Sequence, residues 1–121
     1  MPTDNQQLRD RTKQLAVRLL RLAKSLPSSV DGQVIARQIL RSGTSAAANH
    51  RAACRARSKA EFVAKLSIVV EEMDETLFWL ELISEARLVP ANRLSDLVCE
   101  ATELTKIFAS ARRTARGNAA D

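Results

Sequence analysis

SKAEFVAKLSIVVEEMDETLFWLELI, residues 58–83, is the stretch that decides the fold of this chain. It opens with Ser58-Lys59-Ala60-Glu61, a capping box (S-x-x-E) in which the serine and glutamate side chains satisfy the first free N–H groups of a helix. Apolar residues then recur at alternating spacings of four and three, which places them on one face of a helix. The pattern predicts a helix over about 58–87 that begins within two residues of Ser58. Its stripe is Phe62, Leu66, Val69, Met73, Thr76, Leu80 and Ile83.

Further apolar residues of this third helix fall outside the stripe, Phe78, Trp79 and Leu82 among them. A helix that is apolar on more than one side is buried on more than one side. In a small bundle the second side has no partner within the chain. We therefore expect Phe78, Trp79 and Leu82 to contact another subunit, so the pattern predicts a homo-oligomer.

Two helices are predicted upstream, at about 3–25 and 30–54. Thr3 or Asp4 is the expected N-cap of the first, and Pro27 separates the two. In the second helix the core-facing stripe changes from apolar to small residues, which let a neighbouring helix approach closely. Gly43 costs about 1 kcal/mol relative to alanine inside a helix, so its presence suits a tight crossing. The first stripe is Leu8, Thr12, Leu15, Leu19, Leu22 and Leu26; the second is Ile35, Ile39, Ser42, Ala46, Asn49 and Ala53.

A fourth helix is predicted over about 90–114, with Pro90 in the favoured first turn. Residues 115–121 lack large apolar side chains and are expected to fray. Four helices of this length joined by short loops are typical of an antiparallel up-down-up-down bundle. The prediction is a single all-α domain over residues 1–121.

The net charge of +5 is unevenly distributed, with +8 on residues 1–57 and −3 on residues 58–121. Either a basic face binds an anionic partner, or basic and acidic helices neutralise each other within the bundle or between subunits. No apolar run approaches the roughly 18 residues of a membrane span, and no signal peptide is visible. We expect a cytoplasmic protein with no membrane partner and with Cys54 and Cys99 reduced.

Known catalytic and cofactor motifs are missing from the stretch of small residues after Arg41. A P-loop needs a second glycine and a Lys at fixed offset, and a nucleophile elbow needs glycines around the serine after a strand. The acidic cluster Glu71, Glu72, Asp74 and Glu75 lacks the Glu-x-x-His motifs of di-metal bundles. We therefore predict no enzyme activity, metal, cofactor or small-molecule substrate. The acidic cluster is either solvated or paired with basic residues.

Basic residues at the end of helix 2 form the strongest candidate site. Arg51, Arg55 and Lys59 are spaced four apart, with Arg57 at the margin, and would form one ridge if the helix continued that far. Arginine suits phosphate because its planar fork donates two hydrogen bonds. Such contacts are indifferent to sequence, and no aromatic residue interleaves them for base stacking. The alternative is that these side chains pair with the acidic cluster.

The stretch QILRSGTSAAANHRAACRARSKAEFVAKLSIVVEEMDETLFWLELI, residues 38–83, closely resembles the four-helix-bundle protein family of 23S rRNA intervening sequences. These bacterial proteins have been labelled ribosomal-protein-like and are related to the accessory variability determinant of diversity-generating retroelements. The likeness implies a cytoplasmic homo-oligomer, a pentameric ring, without enzymatic activity, whose partner is RNA or a nucleoprotein. Where a closer branch carries Tyr and Glu after the Asn, this chain has His50 and Ala52.

The resemblance covers several polar residues of helix 2 that we interpret as structural. Polar groups buried between helices need hydrogen-bond partners, and an acid of helix 3 such as Glu75 would serve Arg41. The leading hypothesis is a non-enzymatic oligomeric binding module that contacts RNA. The alternative is a structural oligomer that acts through a protein partner and uses its charges in subunit contacts. The residues assigned to helix packing are Arg41, Ser42, Gly43, Ser45, Asn49 and Glu75.

Overall fold

Four antiparallel α-helices make up the protein in the computed structural model, which describes residues 4–120 and the side chains of residues 5–117. They are α1 (Asp4–Ser25), α2 (Val30–Cys54), α3 (Lys59–Glu85) and α4 (Ala91–Ala120). Each helix packs on the next, and α4 returns to α1 through a sparser contact that closes the ring. Residues 4–120 contain no strand. The predicted all-α four-helix bundle is confirmed.

The start of α3 follows from its capping residues. Ser58 is the N-cap, in extended backbone conformation, and its hydroxyl accepts a hydrogen bond from the Glu61 N–H at 3.1 Å. In the usual capping box the glutamate accepts the N–H of the N-cap residue. Here the Glu61 carboxylate accepts the N–H of the preceding residue, Arg57, at 3.0 Å. Two backbone donors at the helix end are satisfied, which separates α3 from α2 at this point.

The core is built from the stripes predicted for α1, α2 and α3, together with buried apolar residues of α4. Nearly all members of the three stripes are buried, while Leu8, Asn49 and Phe62 lie half-buried at the margin. No helix within residues 4–120 combines the length and apolarity needed to cross a membrane. The largest fully buried side chains include Leu19, Ile39, Leu66, Met73, Leu80, Ile83, Leu94, Leu104 and Phe108.

One predicted helix end differs from the structure. The expected end of α4 near residue 114 is too early, because the helix continues to Ala120. No proline interrupts residues 115–120, and a glycine such as Gly117 weakens a helix without ending it. The predicted N-cap Thr3 and the last residue of the expected frayed tail, Asp121, lie outside the described residues.

Small side chains on α2 bring both neighbouring helices close. A Cβ atom on Gly43 would lie 2.4 Å from the Leu19 Cδ1 atom, so α1 occupies the space that a larger residue would need. On the α3 side, the fully buried hydroxyls of Ser42 and Thr76 lie 2.8 Å apart. Since Thr76 donates to the Glu72 carbonyl at 2.8 Å, Ser42 is the donor to Thr76. Both buried hydroxyls are thereby satisfied.

His50 is a core residue that the predicted stripe of α2 did not include. Its ring is 4% exposed and packs against Phe108 of α4, with ring centroids 4.8 Å apart. Nε2 lies 3.7 Å from the Cys54 sulfur, whereas Nδ1 is buried with no hydrogen-bond partner among the described residues. Burial lowers the pKa of His50 below its ordinary value, and the positive charge of Arg9 lowers it further.

Replacing the N-cap tests how much the start of α3 contributes to stability. Ser58→Ala should lower the free energy of unfolding by about 1 kcal/mol, because the Glu61 N–H loses its acceptor. Ser58→Asp should retain most of the stability. Urea denaturation measures both, with Ser95→Ala as control, since Ser95 is exposed within α4 and caps no helix. Equal effects of Ser58→Ala and Ser95→Ala would contradict this role.

Acid should destabilise the protein through His50. Above the ordinary pKa of 6.5 the ring is neutral in both states. As the pH falls, the unfolded chain binds a proton first, so the free energy of unfolding decreases until the native ring also protonates. His50 is the single histidine of the chain. Denaturation across this pH window should show the decrease in wild type and not in His50→Leu; an equal decrease in both would overturn the assignment.

Candidate functional site

Four cationic side chains from two helices line one groove, here called the basic groove. Arg9 and Lys13 lie one turn apart on α1, and Arg51 and Arg55 lie one turn apart at the end of α2. The groove has a volume of about 470 Å³, and its remaining lining residues are Asp10, Ala47 and Ala48. The alanines are small enough to leave the space between the two rows of cations open.

The cations of the basic groove are not neutralised within the subunit. Arg9, Lys13, Arg51 and Arg55 form no ion pair within residues 5–117, and Asp10 is the one acid lining the groove. The two α2 arginines are exposed. The three guanidinium groups and one ammonium that line the groove are suited to binding phosphate oxygens.

The predicted ridge of four basic residues is divided by the end of α2. Arg51 lies in its last turn and Arg55 is its C-cap, so these two remain on one side. Arg57 lies in the connection to α3, and its side chain pairs with Glu61 at 3.7 Å. Lys59 begins α3 and lines a separate apolar depression between α3 and α4. All four are exposed, but they do not form one surface.

Arg9 and Lys13 are members of the groove that the sequence analysis did not identify. Which helix lies beside the end of α2 is a matter of tertiary packing, and the basic residues of α1 were counted only in the overall charge. A signal was present in their spacing. Each follows a residue of the α1 stripe, Leu8 or Thr12, by one position, so both lie on the same flank of the helix.

The acidic cluster of α3 divides between paired and exposed members. Arg41 of α2 forms ion pairs with Glu72, at 3.2 Å, and with Glu75. Glu75 also accepts a hydrogen bond from the Trp79 indole at 3.1 Å, and this bond together with Arg41 lowers its pKa. Glu71 and Asp74 are exposed and form no ion pair within residues 5–117. The acids thus reach Arg41 rather than the basic groove.

The other polar residues assigned to helix packing bond locally. The Asn49 amide donates to the Ser45 carbonyl at 2.9 Å and contacts the Ser45 hydroxyl at 3.2 Å, one turn earlier on the same helix.

Burial raises the pKa of the Cys54 thiol, which disfavours the nucleophilic thiolate. No three His, Cys, Asp or Glu side chains in the described part of the chain are grouped to hold a metal ion.

The outer side of α3 exposes aromatic surface. Phe78 is 52% exposed and meets the Trp79 ring edge to face, with centroids 4.9 Å apart. Trp79 and Leu82 are half-buried and pack against the core of their own subunit. Ile68, three turns before, is 37% exposed. Of the three predicted interface residues, Phe78 is therefore the one with most of its side chain available.

Comparisons with known proteins agree with this architecture. Residues 4–110 match the family model described as 23S rRNA-intervening sequence protein. A crystal structure of a protein with unknown function from the S23 ribosomal protein family of Bacteroides thetaiotaomicron VPI-5482 superposes with a TM-score of 0.82. It is 36% identical, and the match covers 88% of this chain and 98% of that one. The search of curated proteins gave no match.

The matched residues include all of α1, α2 and α3 and most of α4, so the match extends over all four helices of the bundle. The chain belongs to the 23S rRNA-intervening sequence protein family.

Proposed function

We propose that the protein is a non-enzymatic, homo-oligomeric binding module of the cytoplasm that holds RNA by its phosphates. The observation that carries this proposal is the basic groove, which is lined by two rows of cations that form no ion pair within residues 5–117. RNA carries one phosphate per nucleotide, so two rows of cations can follow its backbone. The contacts read charge and not sequence.

The distribution of ion pairs supports this function over internal neutralisation. Had the basic residues of α2 served only to balance α3, Arg51 and Arg55 would contact the acidic cluster. The residue of α2 that does contact the acidic cluster is Arg41, which pairs with Glu72 and Glu75 of α3. The family name refers to a ribosomal RNA gene segment, which agrees with an RNA partner but does not define the contact.

In this proposal the subunits assemble through the outer side of α3. Phe78 and Ile68 leave apolar surface in water, and aromatic side chains are enriched at protein interfaces. We assign this side to a second copy of the chain, in the pentameric ring that the family likeness implies. A ring would present several basic grooves together, so that weak single contacts add through avidity.

A second candidate function has its own support. Glu71 and Asp74 are exposed on α3 without ion pairs within residues 5–117, and a neighbouring subunit could bring them to Arg51 and Arg55. The basic groove would then be a subunit contact, and the assembly would act through a protein partner. If the groove is a subunit contact, removing the charges of Arg51 and Arg55 would reduce assembly. If the groove binds RNA, the same change would reduce RNA affinity.

The salt dependence of RNA binding tests the basic groove. Arg51→Gln with Arg55→Gln should weaken binding of a single-stranded RNA. Each phosphate contact releases counterions from the RNA, and the variant makes two fewer such contacts. The slope of log affinity against log salt concentration should therefore flatten by about 1.4, at roughly 0.7 per contact. Fluorescence anisotropy over a salt series on the intact oligomer gives this slope.

The matched control for this experiment is Arg37→Gln with Arg113→Gln, which removes the same charge from exposed positions outside the groove. It should change affinity and slope much less. Absence of RNA binding by wild type at low ionic strength, or equal losses in both double variants, would refute the groove as the binding site. Dissociation of the oligomer in the Arg51/Arg55 variant would instead support the second candidate function.

Replacing Phe78 tests the assembly surface. Phe78→Ser should shift the protein toward monomers, because it removes the most exposed aromatic ring of α3 without disturbing the core. Light scattering should show wild type at several times the 13.3 kDa chain mass. Leu20→Ser is the control, since Leu20 is 43% exposed on α1. A monomeric wild type at micromolar concentration would exclude this assembly.

A further inference from the structure

A second cluster of cations, outside the basic groove, lies between the end of α1 and the start of α4. Arg18 and Arg21 of α1 and Arg93 of α4 line one depression of about 240 Å³. Its remaining lining residues are Ser25 and the buried Leu22, Val89 and Leu97. None of these arginines forms an ion pair within residues 5–117.

Three like charges converge here at an unfavourable place in the fold. Arg93 lies in the first turn of α4, where the helix dipole is positive, and that turn contains no acidic residue. Asp96 follows Arg93 by three residues on α4 but forms no ion pair within residues 5–117, and the Glu100 carboxylate is held by Arg11 at 2.8 Å. No ion pair within residues 5–117 offsets the repulsion among the three arginines, and a bound anion would reduce it.

We propose that Arg18, Arg21 and Arg93 form a second anion site that binds a phosphate group. The three guanidinium groups supply forked donors that suit the oxygens of a phosphate. The site is distinct from the basic groove: it lies on the α4 flank of α1, whereas Arg9 and Lys13 lie on the α2 flank. It does not depend on the proposed function of that groove.

Titration with inorganic phosphate on the intact protein tests the site directly. The backbone amide signals of Val89, Ala91, Asn92 and Arg93 should shift saturably in the millimolar range at constant ionic strength, and chloride should not reproduce the shift. Arg18→Gln with Arg93→Gln should weaken the response at least tenfold. Arg51→Gln with Arg55→Gln, in the basic groove, should leave it unchanged, so failure of one site is distinguishable from failure of the other.

Charge-preserving variants guard against a trivial loss of structure. Arg18→Lys with Arg93→Lys should retain a weaker phosphate response, because charge remains while the bidentate fork is lost. Unchanged thermal stability of both double variants shows that they fold. The proposal is overturned if wild type shows no saturable response, or if the glutamine variant responds like wild type.

The source of the phosphate is resolved by a second titration with a 5′-hydroxyl single-stranded RNA, which carries only backbone phosphates. If Arg18→Gln with Arg93→Gln weakens RNA affinity in the background of the Arg51/Arg55 variant, the site serves the RNA backbone. If RNA affinity is unchanged while the phosphate response is lost, the site serves a small phosphorylated ligand. Both results require the phosphate response of wild type and so presuppose a genuine site.

Discussion

The close approach of α1 and α3 to the small-residue face of α2 is the constraint on which the rest of the structure depends. At Gly43 there is no space for a side chain beside Leu19, and at Ser42 a buried hydroxyl bonds directly to Thr76. A larger residue at either place would displace a buried side chain of the neighbouring helix, Leu19 or Thr76. Since α1 is held this near, its basic residues come to lie beside those of α2, and the packing of the core thereby builds the basic groove.

The arrangement of charge follows from the same packing. On the α3 side of α2, Arg41 meets Glu72 and Glu75, so positive and negative groups cancel. On the α1 side two basic helices adjoin, and no such cancellation occurs. The uneven charge of the chain is thus partly used in ion pairs between helices and partly left unpaired within residues 5–117. Surface ion pairs of this kind contribute little stability, so they serve mainly to define which cations remain available.

Much of the fold could be predicted because helical periodicity and caps are local properties of the sequence. The stripe through Leu15 and Leu19 and the cap at Ser58 needed no tertiary information. The site was harder, since it depends on which helix lies beside the end of α2, and the contributions of Arg9 and Lys13 appear only in three dimensions. His50 was missed for a related reason: a polar side chain was not expected against Phe108 in the core.

The structure of the assembled oligomer tests the central claim most directly, because the claim is that the basic groove remains open for an anion. A crystal or electron microscopy structure should show subunits meeting through the outer side of α3, with Phe78 covered and with Arg9, Lys13, Arg51 and Arg55 forming a continuous exposed positive surface. Finding Glu71 or Asp74 of a neighbouring subunit bound to Arg51 and Arg55 would contradict the account and establish the groove as a subunit contact.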